Sequence, residues 1–268
     1  MKFLTKSDIS IGSQLGSQMS QYASLFSLSQ KTKHSIVFNK EDLNIGRGIK
    51  ILKPFDLKCQ IKSKNENIQY SEFILNDQIE LDQNFLNLSN EKNWNVFGVF
   101  NTFIYWDDYR KEILKEFQFK NEILNKSKNY LNNISGIKVS IHFRRTDYLK
   151  VSSMNLTEKY YKEAISIISR KISNFKLIVF SDDIEWCKQN IKGDNIIYCE
   201  NFINYEDMCI MSLCDHNIIA NSCFSWWGAY LNQNLNKIIV CPNEYANDTK
   251  VNFMNGKYFP KEWTSIKT

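Results

Sequence analysis

The chain has 268 residues, of which 43% are hydrophobic and 24% charged, the balance of one large or two medium globular domains. Its net charge of +5 is mild and its basic residues are scattered, which suits an anionic small substrate or an anionic membrane face and argues against a nucleic-acid partner. The sequence has no membrane-length apolar run, no signal-peptide core and no Cys-x-x-Cys pair among its seven cysteines. We therefore predict a cytoplasmic protein with free thiols and no metal site, able to work at the inner face of the membrane.

The first distinctive stretch is a polar loop with two glycines, residues 11–16, that runs into a helix. Apolar residues occupy the i, i+3, i+4 and i+7 positions of that helix: Met19, Tyr22, Ala23 and Phe26. Such a loop leaves backbone N–H groups free at a helix N-terminus, where an anion is stabilised. An ordinary strand-to-helix turn explains the same residues, and on this stretch alone it is the favoured interpretation.

Residues 40–100 are the least informative, and they are followed by an aromatic and acidic patch at residues 105–109. Adjacent acids between aromatic rings resemble a sugar-binding surface, but the same acids could begin the helix that follows. Helical spacing continues through residues 110–131 and stops at residues 132–136. This break predicts a domain boundary, with the first domain over residues 1–134.

The second half alternates strands with helices more clearly. Apolar runs predict five buried strands, at residues 137–142, 176–180, 195–198, 217–220 and 237–242. Strands separated by helices in this rhythm indicate a parallel, doubly wound sheet. We therefore predict an α/β domain over residues 135–245, followed by a C-terminal return segment over residues 246–268.

Three of these strands end in polar clusters, which meet at one edge of a parallel sheet. The clusters are His142, Arg144, Arg145 and Asp147; Ser181, Asp182 and Asp183; and Asn221, Ser222 and Ser225. Guanidiniums neutralise a diphosphate, carboxylates pair with a purine or with ribose hydroxyls, and small residues expose N–H groups at a helix N-terminus. A solvated basic turn and simple helix capping by one aspartate are the structural alternatives. No G-x-G-x-x-G or Walker-type loop is present, which disfavours a dinucleotide dehydrogenase and a P-loop enzyme.

The clusters also resemble a known family. Residues 142–148, His-Phe-Arg-Arg-Thr-Asp-Tyr, resemble the H-x-R-R-x-D-Y motif of the α-1,2-fucosyltransferases, bacterial glycosyltransferase family 11. Residues 180–186 and 221–229 resemble the second and third motifs of that family, in the same order and spacing. Residues 15–23 are similar to its N-terminal L-G-N-Q-M-F-Q-Y-A, and the tail at residues 260–263 also fits. The resemblance spans most of the chain and is weak over residues 40–100.

The resemblance implies a GT-B-type α/β glycosyltransferase with two Rossmann-like domains facing a central cleft. It implies inverting transfer of L-fucose from GDP-fucose to the 2-hydroxyl of a terminal β-galactoside, without a metal or another cofactor. The acceptor would belong to a surface glycan or oligosaccharide and can be lipid-linked. A same-fold enzyme that uses another GDP-sugar and a catalytically silent nucleotide- or glycan-binding protein are the alternative functions.

The resemblance also implies roles for particular residues. Arg144 would bind the leaving diphosphate, Asp147 would act as the base or would only fix Arg144, and Asp207 would read guanine. The full nucleotide-sugar set is His142, Arg144, Arg145, Asp182, Asp183, Asp207, Ser222, Cys223, Phe224, Ser225, Gly16 and Gln18. The acceptor set, from the aromatic and acidic patch, is Trp106, Asp107 and Asp108. GDP binding is thus predicted in the second half and acceptor selection in the first.

The N-terminal motif departs from the family at several positions. Ser17 stands in place of the family's Asn, Ser20 in place of its Phe, and Ser13-Gln14 in place of its Gly-Gly. If this loop touches the fucose or the acceptor, these changes affect acceptor choice first and activity second.

Overall fold

The computed structural model describes residues 2–63, 68–75, 81–100, 102–245 and 258–268. The chain divides into two compact units, residues 1–120 and residues 121–268. Each unit contains a sheet of parallel strands with helices between them, which confirms the predicted α/β class. Among the described residues, no helix combines the length and the apolarity that a membrane crossing requires.

The first unit is built on a five-stranded sheet with the strand order β3-β2-β1-β5-β4. All its pairings are parallel. The strands are β1 (Phe3–Thr5), β2 (Ser35–Asn39), β3 (Gln60–Lys62), β4 (Ser71–Ile74) and β5 (Trp94–Phe97). The helices are α1 (Leu15–Thr32), α2 (Gln83–Leu86) and α3 (Arg110–Glu116). Strands β2 and β3 are added on one side of β1, and β5 and β4 lie on its other side. The strand order therefore reverses between β1 and β5.

Helix α1 follows the central strand and is buried along most of its length. Its predicted apolar positions are in the core, but the serines between them are buried as well. They satisfy their hydroxyls inside the helix: Ser20 donates to the carbonyl of Gly16 at 3.3 Å, and Ser24 donates to that of Ser20 at 3.0 Å. The hydroxyls of Ser20 and Ser24 are therefore hydrogen-bonded although both side chains are buried.

The second unit is built on a six-stranded parallel sheet with the strand order β11-β10-β9-β6-β7-β8. The strands are β6 (Ile137–Phe143), β7 (Phe175–Ser181), β8 (Ile196–Tyr198), β9 (His216–Ile218), β10 (Ile239–Pro242) and β11 (Thr264–Ile266). The helices are α4 (Asn121–Asn132), α5 (Glu158–Lys171), α6 (Ile184–Asn190), α7 (Asn204–Leu213) and α8 (Cys223–Tyr230). The predicted strands of the second half are thus all present.

The two faces of this sheet have separate cores. Val139, Ile141 and Phe143 of β6 pack with residues of α5 on one face. Ile178 and Phe180 of β7 pack with residues of α7 on the other. Successive side chains of a strand therefore pack against helices on opposite faces of the sheet. This alternation continues to the end of the strand, where the polar clusters begin.

The division between the units lies at residue 120, not after residue 134 as predicted. The helical spacing of residues 110–131 covers two helices, α3 and α4, with a break between them. In the break, Phe119 forms an isolated bridge with Phe55 and the two rings lie 4.9 Å apart, which ties this segment to the first unit. Helix α4 instead packs on α7, where Lys126 donates to Glu206 at 2.8 Å. The chain thus changes units before α4.

The predicted C-terminal return segment is described over residues 258–268, and residues 246–257 lie outside the described part. Its strand β11 is the edge strand of the second sheet and pairs with β10. Trp263, just before it, is buried against Trp226 of α8 at 5.5 Å between ring centroids. The tail thus belongs to the second unit.

Candidate active site

The polar clusters predicted from the sequence meet at the carboxyl ends of β6 and β7 in the second unit. This is the edge at which open parallel sheets bind ligands. β6 is paired with β7 over its whole length, so that Phe143 lies opposite Ser181. The residues that follow these two strands are therefore held beside one another.

Arg144 is held between two carboxylates at this edge. One terminal nitrogen, Nη2, lies 2.6 Å from Asp147 Oδ1, and the other, Nη1, lies 2.8 Å from Asp182 Oδ2. The guanidinium carbon lies 5.3 Å from the centre of the Tyr148 ring, and a quarter of the side chain is exposed. The guanidinium is fixed in orientation and still accessible, which is what bidentate binding of a phosphate requires.

Asp182 organises the turn that carries the arginines. Its Oδ1 accepts from the backbone N–H of Arg145 at 2.9 Å, and its Oδ2 accepts from the Thr146 hydroxyl as well as from Arg144. Both oxygens of this carboxylate are thus occupied by donors of the protein. We therefore assign Asp182 to positioning Arg144 rather than to direct contact with a nucleotide.

Arg145 has a different environment from its neighbour. Its guanidinium carbon lies 3.5 Å from the centre of the Trp186 ring, and its Nε donates to Asp183 Oδ2 at 3.2 Å. Asp183 also caps α6 by accepting from the N–H of Trp186 at 3.3 Å. The predicted diphosphate contact of Arg145 is therefore not supported, since cation–π stacking and an ion pair hold it on α6. The capping alternative is confirmed for Asp183.

Trp186 is a residue of this site that sequence reasoning missed. The available signal was its position three residues after Asp183, in the first turn of the predicted helix, where a side chain can cover a neighbouring strand end. Beside the Arg145–Trp186 stack is a cavity of about 350 Å³, whose lining includes Phe143, Leu149 and Ile191.

His142 is the last residue but one of β6, two positions before Arg144. Its side chain is buried, its ring lies 5.5 Å from that of Phe224, and its Nδ1 has no hydrogen-bond partner in the described part of the chain. Burial lowers the pKa of His142 to about 4, with Arg144 acting in the same direction and Asp182 against it. A neutral imidazole with one unused nitrogen can form one further hydrogen bond, but its burial leaves no ring face for a ligand to stack on.

The third cluster, after β9, is mainly a helix cap. The Ser222 hydroxyl accepts from the N–H of Phe224 at 3.3 Å and caps α8. Ser225 is fully buried and its hydroxyl bonds the backbone of Ala220. Its predicted role in lining a phosphate pocket is therefore wrong. The thiol of Cys223 accepts from the Tyr258 hydroxyl at 3.3 Å. Cys223 and Phe224 are the half-buried residues of this cluster, whereas Ser222 is buried.

Asp207 lies at a different place on the same sheet edge, in the first turn of α7 after β8. Its Oδ1 accepts from the thiol of Cys199 at 3.5 Å. Burial raises the pKa of the Asp207 carboxyl to about 7; the thiol contact opposes this and nearby Glu206 adds to it. Close to neutral pH the group is therefore poised between its charged and neutral forms, as at many ligand-binding carboxylates.

Two predicted residues of the first unit have structural roles. Gln18 is fully buried; its Nε2 donates to the carbonyl of Gly48 at 2.8 Å and its Oε1 accepts from the N–H of Lys50 at 2.7 Å. Gly16 is buried in the first turn of α1. The predicted donor contact of the Gln18 amide is therefore not supported, because both ends of the amide hold the loop that carries residues 48–50.

The three residues of the predicted acceptor set differ in burial: Trp106 is buried, whereas Asp107 and Asp108 are exposed. Trp106 is 1% exposed, so the prediction that its ring stacks on a sugar is wrong. Asp107 and Asp108 are exposed, and Asp108 lies 3.7 Å from Lys31 in a loose surface ion pair. The described residues include no group of three or more His, Cys, Asp or Glu side chains placed to hold a metal ion.

Comparison with known proteins gives a consistent result. The profile of the family described as glycosyl transferase family 11 matches residues 2–267. Two relatives from Escherichia coli are 34% identical: an alpha-1,2-colitosyltransferase, with 48% of this chain and 47% of the relative covered, and the O-antigen biosynthesis glycosyltransferase WbnK, with 56% and 54% covered. The chain thus matches about half the length of these two proteins. Galactoside alpha-(1,2)-fucosyltransferase 1 of Leontopithecus chrysomelas is 24% identical, with 81% of this chain and 63% of the relative covered.

Two solved structures share the fold. A crystal structure of POFUT1 in complex with GDP-fucose has a TM-score of 0.59 at 11% identity and covers 90% of this chain and 97% of that chain. The fucosyltransferase NodZ from Bradyrhizobium has a TM-score of 0.56 at 12% identity, with 85% and 92% covered. At this identity the likeness shows the fold alone, and it confirms the predicted GT-B type.

Proposed function

Because the chain belongs to glycosyl transferase family 11, we propose that it transfers L-fucose from GDP-fucose to the 2-hydroxyl of a terminal β-galactoside, with inversion to an α-1,2 linkage. The observation that carries the proposal is Arg144, which is held between Asp147 and Asp182 at the strand ends and is still accessible, as the diphosphate of a nucleotide sugar requires. The names of the α-1,2 relatives support the linkage, and that of the O-antigen enzyme supports a surface glycan, lipid-linked during its synthesis, as the acceptor.

The proposed reaction is a direct displacement at the anomeric carbon. The acceptor oxygen forms the new bond while the bond from carbon to the β-phosphate oxygen breaks, and its electron pair remains on GDP. Arg144 stabilises the negative charge that grows on the diphosphate. Asp147, bound to Arg144 at 2.6 Å, holds the guanidinium, the second of the two roles that the motif left open.

The proposal is tested by incubating the protein with GDP-fucose and a panel of β-galactosides and determining the product linkage by NMR. We expect an α-fucosyl group on the 2-hydroxyl of a terminal galactose. A product with another linkage, or no product while GDP-fucose still binds, would contradict the proposal. The second result would favour a catalytically silent binding protein.

The same assay is run with a GDP-activated colitose donor, because one of the relatives is named as a colitosyltransferase. The alternative function is transfer of colitose from its GDP-activated form by the same site. The two donors are compared in competition, as the ratio of kcat/KM values with one acceptor. A ratio that favours the colitose donor would assign the chain to that activity.

We expect the transfer reaction to continue in EDTA. Arg144 supplies the positive charge that a metal would otherwise bring to the diphosphate. Rates are measured in EDTA and after addition of Mg²⁺ or Mn²⁺ to the chelated protein. A loss of activity in EDTA that either cation restores would contradict the metal-free mechanism.

We expect Asp207→Asn to weaken GDP binding, because a carboxylate that accepts two guanine N–H bonds is replaced by an amide that presents a donor to one of them. The raised pKa of Asp207, about 7, adds a pH test. Bound guanine favours the carboxylate, so binding below pH 7 must release a proton, and wild-type affinity should fall by up to about tenfold per pH unit as the pH drops.

The measurement is calorimetric titration with GDP at several pH values. Asp194→Asn, which changes an exposed carboxyl of the same unit, is the matched control. Protonation of the GDP phosphate affects all variants equally. The contribution of Asp207 is therefore the difference between the wild type and Asp207→Asn in the slope of log Kd against pH. Equal affinity and equal slope in the two proteins would remove Asp207 from the guanine site.

A further inference from the structure

Tyr148, which ends the H-x-R-R-x-D-Y motif, has no role among those predicted from the sequence. It begins a short 3-10 turn after β6, four residues beyond Arg144, and its ring centre lies 5.3 Å from the Arg144 guanidinium carbon. At this distance a guanidinium is attracted to the face of an aromatic ring. Tyr148 therefore contacts the arginine that we assign to the diphosphate.

The two carboxylates that hold Arg144 are not equally well held themselves. Asp182 also accepts from the backbone N–H of Arg145 at 2.9 Å and from the Thr146 hydroxyl. The side chain of Asp147 is 62% exposed, and in the described part of the chain its one partner is Arg144. An exposed ion pair fixes a side chain only weakly. The position of Asp147 thus depends on the turn that carries it.

The hydroxyl of Tyr148 connects this turn to two other strand ends. It lies 3.2 Å from the carbonyl oxygen of Asn221, after β9, and 3.3 Å from the hydroxyl of Tyr245, after β10. Because a carbonyl can only accept, Tyr148 donates its one proton to Asn221 and accepts from Tyr245. Burial raises the pKa of Tyr148 to about 12, so the hydroxyl keeps this proton at neutral pH.

The two partners of the Tyr148 hydroxyl are fixed by contacts of their own. Asn221 Nδ2 donates to the backbone carbonyl of Tyr245 at 2.7 Å and to that of Met154 at 3.0 Å. The ring of Tyr245 packs against that of Tyr258, with 4.7 Å between the centroids, and Tyr258 is buried. Tyr148 is therefore anchored to a rigid part of the second unit.

The strand order shows what this anchor adds. β6 lies between β7 and β9, and β10 lies beyond β9. Asp182 reaches Arg144 from the β7 side, and Tyr148 connects the same turn to the β9 and β10 side. Two contacts at the edge of a planar group leave it free to tilt about the line between them, and a ring against its face restricts that tilt.

We propose that Tyr148 is the positioning residue of Arg144: its ring sets the tilt of the guanidinium, and its hydroxyl fixes the turn that carries Arg144 and Asp147. This inference rests on the proposed transferase function. In this role Tyr148 acts through Arg144 and not on the donor itself. The guanidinium is thereby oriented before negative charge grows on the leaving diphosphate, and it need not reorient during the reaction.

The first test compares Tyr148→Phe with Tyr148→Leu in the full chain. Tyr148→Phe keeps the ring and loses both hydroxyl contacts, and we expect kcat for transfer to fall by about tenfold. Tyr148→Leu also loses the ring, and we expect a fall of about 10²-fold, as for other displaced catalytic groups. In both variants the KM for the donor should change less than kcat.

Tyr160→Phe is the matched control for the loss of a hydroxyl. Tyr160 is buried in the same unit, and its hydroxyl donates to the backbone carbonyl of Ile219 at 2.5 Å. The change therefore removes a hydrogen bond of the same kind at a residue that makes no described contact with Arg144. We expect Tyr160→Phe to keep the wild-type kcat.

The second test asks whether Tyr148 acts through Arg144. Tyr148→Leu is combined with Arg144→Lys, and the four kcat values form a double-mutant cycle. Once the guanidinium is gone, the loss of Tyr148 has little left to disturb, so the double variant should have a kcat within about threefold of Arg144→Lys. A purely structural tyrosine would lower kcat by the same factor in both backgrounds. If Tyr148→Leu yields little folded protein, Tyr148→Phe is used in the same cycle.

The outcomes separate the inference from the proposed function. If the wild type transfers sugar and both Tyr148 variants keep its kcat, the role of Tyr148 alone is overturned. Additive effects in the cycle also overturn it, because Tyr148 would then act independently of Arg144. If the wild type transfers sugar from no GDP-linked donor, the proposed function fails and the role of Tyr148 in transfer fails with it.

Discussion

Arg144→Lys is expected to cost about 2–4 kcal/mol of transition-state stabilisation, although the charge is kept. The guanidinium uses separate nitrogens for Asp147 and Asp182 and still exposes a quarter of its surface. An ammonium cannot span both carboxylates and also bind a diphosphate with a fixed fork geometry. The loss should therefore appear in kcat, where the charge on the leaving group develops, more than in KM for the donor.

The measurement is kcat and KM for transfer, with GDP affinity determined separately. Arg170→Lys, on the exposed side of α5, is the matched control for the same chemical change. If Arg144→Lys had a kcat near the wild-type value, two-point binding of the diphosphate by the guanidinium would not be part of the mechanism. A fall in GDP affinity with an unchanged kcat would show that Arg144 only binds the donor.

The neighbouring arginine shows what sequence patterns can and cannot predict. The strand from residue 137 and the polar turn after it were predictable, because apolar alternation marks a buried strand and its end. The sequence places Arg144 and Arg145 side by side with identical chemistry. Their surroundings differ because Trp186 comes from another element, after β7, and covers only one of them. Such partners depend on contacts between distant segments, which local spacing does not contain.

The same limit explains the other differences. A serine at a predicted helix N-terminus can face a ligand or turn back on its own loop, and Ser225 bonds the backbone of Ala220. The break between α3 and α4 was hidden because Phe117 and Phe119 continue an apolar spacing while they pack on Phe55. A short charged stretch after three strand residues is usually solvated, yet Lys6 is buried and lies 2.7 Å from Asp8, because β1 is the central strand of its sheet and only the strand order shows this.

Trp106 is the clearest case, and Trp106→Ala is expected to lower the free energy of unfolding by about 3–5 kcal/mol. The ring is 1% exposed, and its neighbour Tyr105 packs edge-on against Phe85 at 5.4 Å and Phe100 at 5.2 Å. Removing a buried indole leaves a cavity that the surrounding side chains cannot fill without moving. A sugar-stacking tryptophan would behave differently, because its removal would raise the acceptor KM and leave stability nearly unchanged.

Urea unfolding of the full chain decides between these two roles. Asp108→Ala is the control, since a surface carboxyl that is 83% exposed should change stability by no more than about 0.5 kcal/mol. Acceptor KM is measured on both variants under conditions where each is folded. A stable Trp106→Ala with a raised acceptor KM would restore the sugar-binding role. A destabilised variant with an unchanged KM would place Trp106 in the core and leave acceptor selection to exposed residues of the first unit.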